Sequence, residues 1–195
     1  MAAAEAAQFK AKGNEFYKKR EWDTAVEWYG KAIAADPDQK TYYSNRAAAL
    51  TNAGRFEEAV ADGKMCIQKD PSWNKGYYRL ATALKATKDY VGALDAINAG
   101  LKRNDIAGDA ALLKLREEVK GPAEQQKNDR TAALPENERF KAKGNELFKC
   151  QKYEDAIAMY TRALDHVDTK SGSPLYVSCY NNRAACKQQL GDHPG

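Results

Sequence analysis

Phe9-Lys-Ala-Lys-Gly-Asn-Glu15 recurs letter for letter as Phe140-Lys-Ala-Lys-Gly-Asn-Glu146. Tyr43-Ser-Asn-Arg-Ala-Ala48 returns, with one change, as Tyr180-Asn-Asn-Arg-Ala-Ala185. Seven consecutive residues do not repeat by chance in a chain of 195. The protein contains an internal duplication, and its reading begins there.

Inside each copy a shorter period of 34 residues runs. It separates Asp36-Pro37 from Asp70-Pro71, and Ala25 from Ala59 and Ala59 from Ala93. The first unit sets large residues (Phe9, Phe16, Tyr29) among small ones (Gly13, Ala25, Ala32) and closes on Pro37. The second offers Tyr43, Ala47, Leu50, Ala59, Cys66 and Pro71, and the third Tyr77, Leu80, Ala81, Leu84, Ala93 and Ile97. This pattern predicts pairs of antiparallel helices. Gly13, Ala47 and Ala81 are expected to face Ala25, Ala59 and Ala93, where small side chains let two backbones approach. Phe16, Leu50 and Leu84 then fill the grooves between units. On these residues the chain resembles the tetratricopeptide-repeat family, which implies an all-α superhelix in which stacked units share one core.

The expected organisation is a three-repeat array over residues 1–120, a polar linker over 121–135, and the start of a second array over 136–195. Asp109 reads as the N-cap of a capping helix striped by Leu112, Leu115 and Val119, and Gly121-Pro122 as its end. Pro135, with Glu136 and Glu138 behind it, opens a new helix. Phe140, Gly144, Leu147, Ala156, Tyr160 and Ala163 then fill the repeat positions. Extra residues around Thr169-Lys-Ser-Gly-Ser-Pro174 lengthen the next turn. The sequence stops at Gly195, midway through a repeat, so its last helix is expected to carry an uncovered apolar side.

The composition is that of a soluble globular protein, with no apolar run long enough to span a membrane and no secretory h-region at the start. A formal charge of +4 does not argue for nucleic acid. Cys66, Cys150, Cys179 and Cys186 form no C-x-x-C pair, and His166 and His193 add no ligand spacing, so no metal or other cofactor is expected. The cysteines read as buried, reduced thiols, and His166 as a residue at a helix end. Tyr42, Tyr43, Tyr77 and Tyr78 read as packing or groove walls. Glu117-Glu118-Val119 is a chance likeness to an acidic tail. No nucleophile with a base, no phosphate loop and no metal set is present, so an enzyme is not expected.

The functional signal lies on the other face of the first helix of each unit. Lys10, Asn14, Asn45, Lys75 and Arg79 occupy repeat positions that centre roughly 160° away from the core positions at 100° per residue. They therefore gather on the concave side of three successive helices. Three cations and two amides without a local carboxylate suit a ligand rich in carboxylate oxygens, such as an acidic peptide C-terminus. Two asparagines in mid-helix also ask for a reason, since asparagine is a poor helix former.

These five residues resemble the dicarboxylate clamp of heat-shock co-chaperones, in particular the family that organises the 70- and 90-kilodalton chaperones. The resemblance implies a cytoplasmic adaptor that binds the Glu-Glu-Val-Asp C-terminus of those chaperones, with neither nucleic acid nor membrane as partner. Lys10, Asn14 and Asn45 would hold the final aspartate, and Lys75 and Arg79 the residues before it. Lys141, Asn145 and Asn182 match the first three clamp positions in the second copy, leaving that site incomplete. A monomer is expected, the uncovered end being the place through which it could associate. Two alternatives remain open at this point: a general repeat scaffold for an internal peptide or helix, and the targeting half of a larger multidomain protein.

Overall fold

A computed structural model of the chain describes residues 2–103, 108–165 and 173–191. Among the described residues there are ten helices and no strand. The chain divides into two compact units between Gln126 and Lys127. Residues 169–172 of the lengthened turn, His166, His193 and Gly195 lie outside the described residues.

The first unit is built from α1 (Ala2–Lys18), α2 (Trp22–Ala35), α3 (Lys40–Asn52), α4 (Phe56–Lys69), α5 (Asn74–Ala86), α6 (Tyr90–Leu101) and the start of α7 (Ala110–Ala132). From α1 to α6, short turns make consecutive helices antiparallel neighbours. Each turn within a pair ends on a left-handed residue: Arg20 (φ 62°), Gly54 (φ 78°) and Lys88 (φ 61°). At each, the next N–H reaches back to Phe16, Leu50 or Leu84, the 6→1 bond that closes a helix C-terminus. Only Gly54 takes this conformation without steric cost.

The turns between pairs are tied by tyrosines. Tyr43 and Tyr77 donate their hydroxyls to the carbonyls of Pro37 and Pro71, each over 3.0 Å. Ala25, Ala59 and Ala93 are fully buried, as the 34-residue period requires. The small residue in the partner helix makes room for a ring as well. The nearest neighbour of Gly13 is the ring of Tyr29, with a Cβ there only 2.6 Å from Cε1.

Asp109 caps α7, accepting from the Leu112 N–H over 2.9 Å. Leu112, Leu115 and Val119 cover the third helix pair. The helix does not end at Gly121-Pro122 as the sequence suggests; it runs through Pro122 to Ala132. Proline forfeits one intrahelical bond, but contacts beyond it hold the helix. Ala123 is buried. Gln126 donates to the Lys88 carbonyl at 2.9 Å and accepts from the Val91 N–H at 3.0 Å.

The second unit contains α8 (Glu136–Lys149), α9 (Tyr153–Asp165) and α10 (Pro174–Gln189). Pro135 is the N-cap residue of α8, and Ser173 caps α10 through the Tyr176 N–H. Ala156, Tyr160, Ala163, Cys179 and Cys186 form its core. Val177, Tyr180 and Leu190 are each more than 40% exposed, the uncovered apolar side expected of the last helix. Cys150 is exposed, contrary to the expectation of four buried thiols, because it follows the last residue of α8 at a surface turn. No described helix is long and apolar enough to cross a membrane.

Candidate functional site

In the first unit α1, α3 and α5 line one face, joined by side-chain bonds. Asn45 on α3 donates its Nδ2 to Asn14 Oδ1 on α1 over 3.4 Å. Arg79 on α5 donates its Nε to Ser44 Oγ on α3, also over 3.4 Å. Lys10 stands one turn before Asn14 on α1, and Lys75 one turn before Arg79 on α5. The structure thus brings Asn14, Asn45 and Arg79 together through side chains, with Lys10 and Lys75 carried alongside by helical spacing.

Among the described residues, none of Lys10, Lys75 and Arg79 forms an ion pair with a carboxylate. The nearby Arg46 is different. It makes two 2.7 Å bonds to the buried Asp62, and that bonding raises the Arg46 guanidinium above its ordinary value. Burial pushes the Asp62 carboxyl up, with the Arg46 bonds opposing. Arg46 is therefore spent on holding α3 to α4. Arg79 also lies over the half-buried Tyr78 ring, 5.9 Å from its centroid, so Tyr78 walls the groove, while Tyr42, Tyr43 and Tyr77 are core residues.

Two contributors escaped the sequence reading. Tyr29 on α2 donates its hydroxyl to Asn14 Oδ1 over 2.8 Å. Burial, with the neighbouring Tyr17 adding to it and the Arg79 charge opposing it, pushes the Tyr29 hydroxyl up to about 12. Ser44, almost fully buried, anchors Arg79. A signal for Tyr29 was present: it follows Asn14 by 15 residues, as Tyr160 follows Asn145.

The second unit repeats the amide arrangement. Tyr160 donates to Asn145 Oδ1 over 2.8 Å and Asn182 donates to the same oxygen over 2.9 Å. Burial pushes the Tyr160 hydroxyl up to about 12, with the thiol of Cys186 adding to it and the Asn182 amide pulling the other way. A cavity of about 220 Å³ opens here, lined by Asn145, Phe148, Lys149, Tyr160, Asn182 and Ala185. Lys141 lines a second one of about 350 Å³ that also touches Asn145, and Glu138 shares it. Among the described residues of this unit no helix supplies counterparts of Lys75 and Arg79. No group of metal-binding side chains occurs among the described residues.

Stacked antiparallel helix pairs on a 34-residue period, with one polar face along their first helices, define a helical repeat protein. A family model described as TPR repeat matches residues 13–54. The TPR2B domain of yeast Sti1, solved as its pHsp70 complex, is 33% identical with a TM-score of 0.57, over 63% of this chain and 98% of that domain. The chain belongs to the tetratricopeptide-repeat family.

The second TPR domain of human RPAP3, solved with the HSP70 peptide SGPTIEEVD, is 27% identical with a TM-score of 0.58. That match covers 62% of this chain and 98% of the other. Among curated relatives, Hsp70-Hsp90 organizing protein 1 of Glycine max is 32% identical over 193 residues. The match takes in 93% of this chain and 32% of the relative. The chain spans about a third of the length of the curated relatives it matches.

Proposed function

We propose that the chain is a cytoplasmic, non-catalytic co-chaperone adaptor whose first unit binds the free C-terminus of a peptide ending in Glu-Glu-Val-Asp. The observation that carries this reading is that α3 joins α1, which bears Lys10, through the Asn14–Asn45 pair and α5, which bears Lys75 and Arg79, through Ser44, with no carboxylate paired to those cations among the described residues. Lys10, Asn14 and Asn45 take the terminal aspartate, and Lys75 and Arg79 the acidic residues before it. Charge-assisted bonds to two clustered carboxylates give both affinity and a preference for a free terminus. The acidic peptide held by the related RPAP3 domain supports the ligand class. Residues 1–120 form the complete array, and residues from 136 begin a second. There Lys141, Asn145 and Asn182 make a partial and weaker site.

The test is a calorimetric titration of the chain with a short peptide ending in Glu-Glu-Val-Asp and with the same peptide amidated at its C-terminus. Binding of the free acid, weakened at least tenfold on amidation, is expected; a tenfold change is about 1.4 kcal/mol. Equal binding of both peptides sinks the clamp and leaves a scaffold for internal segments.

A further inference from the structure

Gly13 and Tyr29 take no part in the carboxylate-binding reading, yet they recur together with Asn14. A Cβ on Gly13 would lie 2.6 Å from Tyr29 Cε1, closer than real Cβ atoms approach any neighbour. Only glycine lets the phenol ring lie against the α1 backbone at that point. With the ring seated there, its hydroxyl reaches Asn14, the next residue along, at 2.8 Å. Gly144, Asn145 and Tyr160 repeat the set, with 2.7 Å from a Gly144 Cβ to the ring and 2.8 Å for the hydrogen bond. The other helix pairs of the first unit lack it. They carry Ala47 with Gly63, and Ala81 with Ile97, and no asparagine in the place of Asn14.

A primary amide is two-faced: its oxygen accepts, its nitrogen donates, and the two ends are nearly the same shape. In an anion site the orientation decides everything. Asn14 Oδ1 accepts from both the Tyr29 hydroxyl and Asn45 Nδ2, which leaves the two N–H groups to donate on the open side. Reversed, the amide would set its Nδ2 against that of Asn45, donor to donor, and turn its oxygen toward an incoming carboxylate.

We propose that Tyr29 is a positioning residue that fixes the polarity of the Asn14 amide, with Gly13 supplying the room, so that Asn14 turns its donors toward the groove. Tyr160 and Gly144 do the same for Asn145. The inference rests on the carboxylate-binding reading above. The Tyr29 hydroxyl keeps its proton at any physiological pH, because burial holds it far above neutrality, ahead of the Tyr17 contribution and against that of Arg79. The Arg79 charge favours lone pairs turned toward it, and so a proton turned toward Asn14. In the second unit the Asn182 bond is shorter, 2.9 Å, and supports the same orientation of Asn145.

The experiment compares the full chain with Tyr29→Phe, each titrated with the free-acid and the amidated Glu-Glu-Val-Asp peptide. Circular dichroism fixes a temperature at which both proteins are folded. Loss of one orienting hydrogen bond is expected to weaken the free acid about tenfold. The amidated peptide should change by less than about twofold, because no terminal anion then depends on the amide's orientation. A merely structural role for the hydroxyl would weaken both peptides together. An unchanged free-acid to amide ratio in Tyr29→Phe overturns the inference while leaving the clamp standing. Absence of free-acid preference in the parent protein overturns the clamp itself.

Discussion

α3 and α10 descend from the same ancestral helix, yet one is wrapped and the other bare. Tyr43 on α3 is 7% exposed, and Tyr180, its counterpart on α10, is 49% exposed. Lys40, ion-paired with Asp70 at the turn from α4 to α5, is replaced by the exposed Val177. The buried Leu50 is replaced by the exposed Lys187. The asparagine pair, by contrast, is the same in both copies. The amide centre therefore needs only three helices, whereas the cations of α5 and the covering of the outer face come with the next helix pair. A repeat array assembles its site in instalments, each contributed by a nearest neighbour.

The largest expected effect breaks this symmetry directly. Tyr43→Ala removes a buried ring and its bond to Pro37 and should cost about 3–4 kcal/mol. Tyr180→Ala should cost about 0.5 kcal/mol or less, as for most exposed positions. Urea unfolding checks both. Trp22, Trp28 and Trp73 all lie in the first unit, so tryptophan emission reports that unit and far-ultraviolet circular dichroism reports the whole chain. Comparable losses would mean that the outer face of α10 is as closely packed as that of α3.

Next in size is the binding contrast. Lys10→Ala and Arg79→Ala should each weaken the free-acid peptide by about 2 kcal/mol, the range for losing a bond to a charged group. Melting temperatures should stay within a few degrees, because neither side chain belongs to the core. Lys141→Ala should leave the measured affinity unchanged, since no described helix of the second unit supplies counterparts of Lys75 and Arg79. If Lys141→Ala weakened binding as much as Lys10→Ala, the two units would share the peptide equally.

Smaller again is the clip that holds α3 to the α4–α5 turn. Asp70 is pulled down to about 2, first by its bond from Lys40 and then by two from Ser72. A carboxyl depressed in the folded state adds stability above its unfolded value of 3.8, and that contribution disappears as pH falls toward 2. Asp70→Asn should therefore destabilise the chain at pH 7 and match the parent near pH 2, in urea melts at each pH. A difference that persists unchanged at pH 2 would assign the effect to packing.

What was readable in the sequence follows from range. The helix pairs and the buried alanines were legible because period and side-chain size are local properties, and so was the placing of Asn14, Asn45 and Arg79 on neighbouring first helices. The path of α7 past Pro122 was not. It depends on Ala123 burying itself and on Gln126 meeting Lys88 and Val91. The left-handed turns at Arg20 and Lys88 were equally silent, since neither residue favours that conformation. Tyr29 read as packing because its ring is packing; only its hydroxyl, brought to Asn14 by the close approach at Gly13, belongs to the site.

The smallest prediction concerns charge in the second unit. Glu138 lines the same cavity as Lys141 and Asn145, where the first unit has Ala7. A carboxylate there opposes an entering anion through the same Coulomb term that makes the lysine useful, and its exposure keeps the effect to about 0.5 kcal/mol. In a chain whose first site is silenced by Lys10→Ala and Arg79→Ala, residual binding of the free-acid peptide should rise about twofold when Glu138→Ala is added, and the gain should fade at high salt. No change, with residual binding present, would mean that the anion enters the second unit on the Asn182 side, through the cavity that Glu138 does not touch.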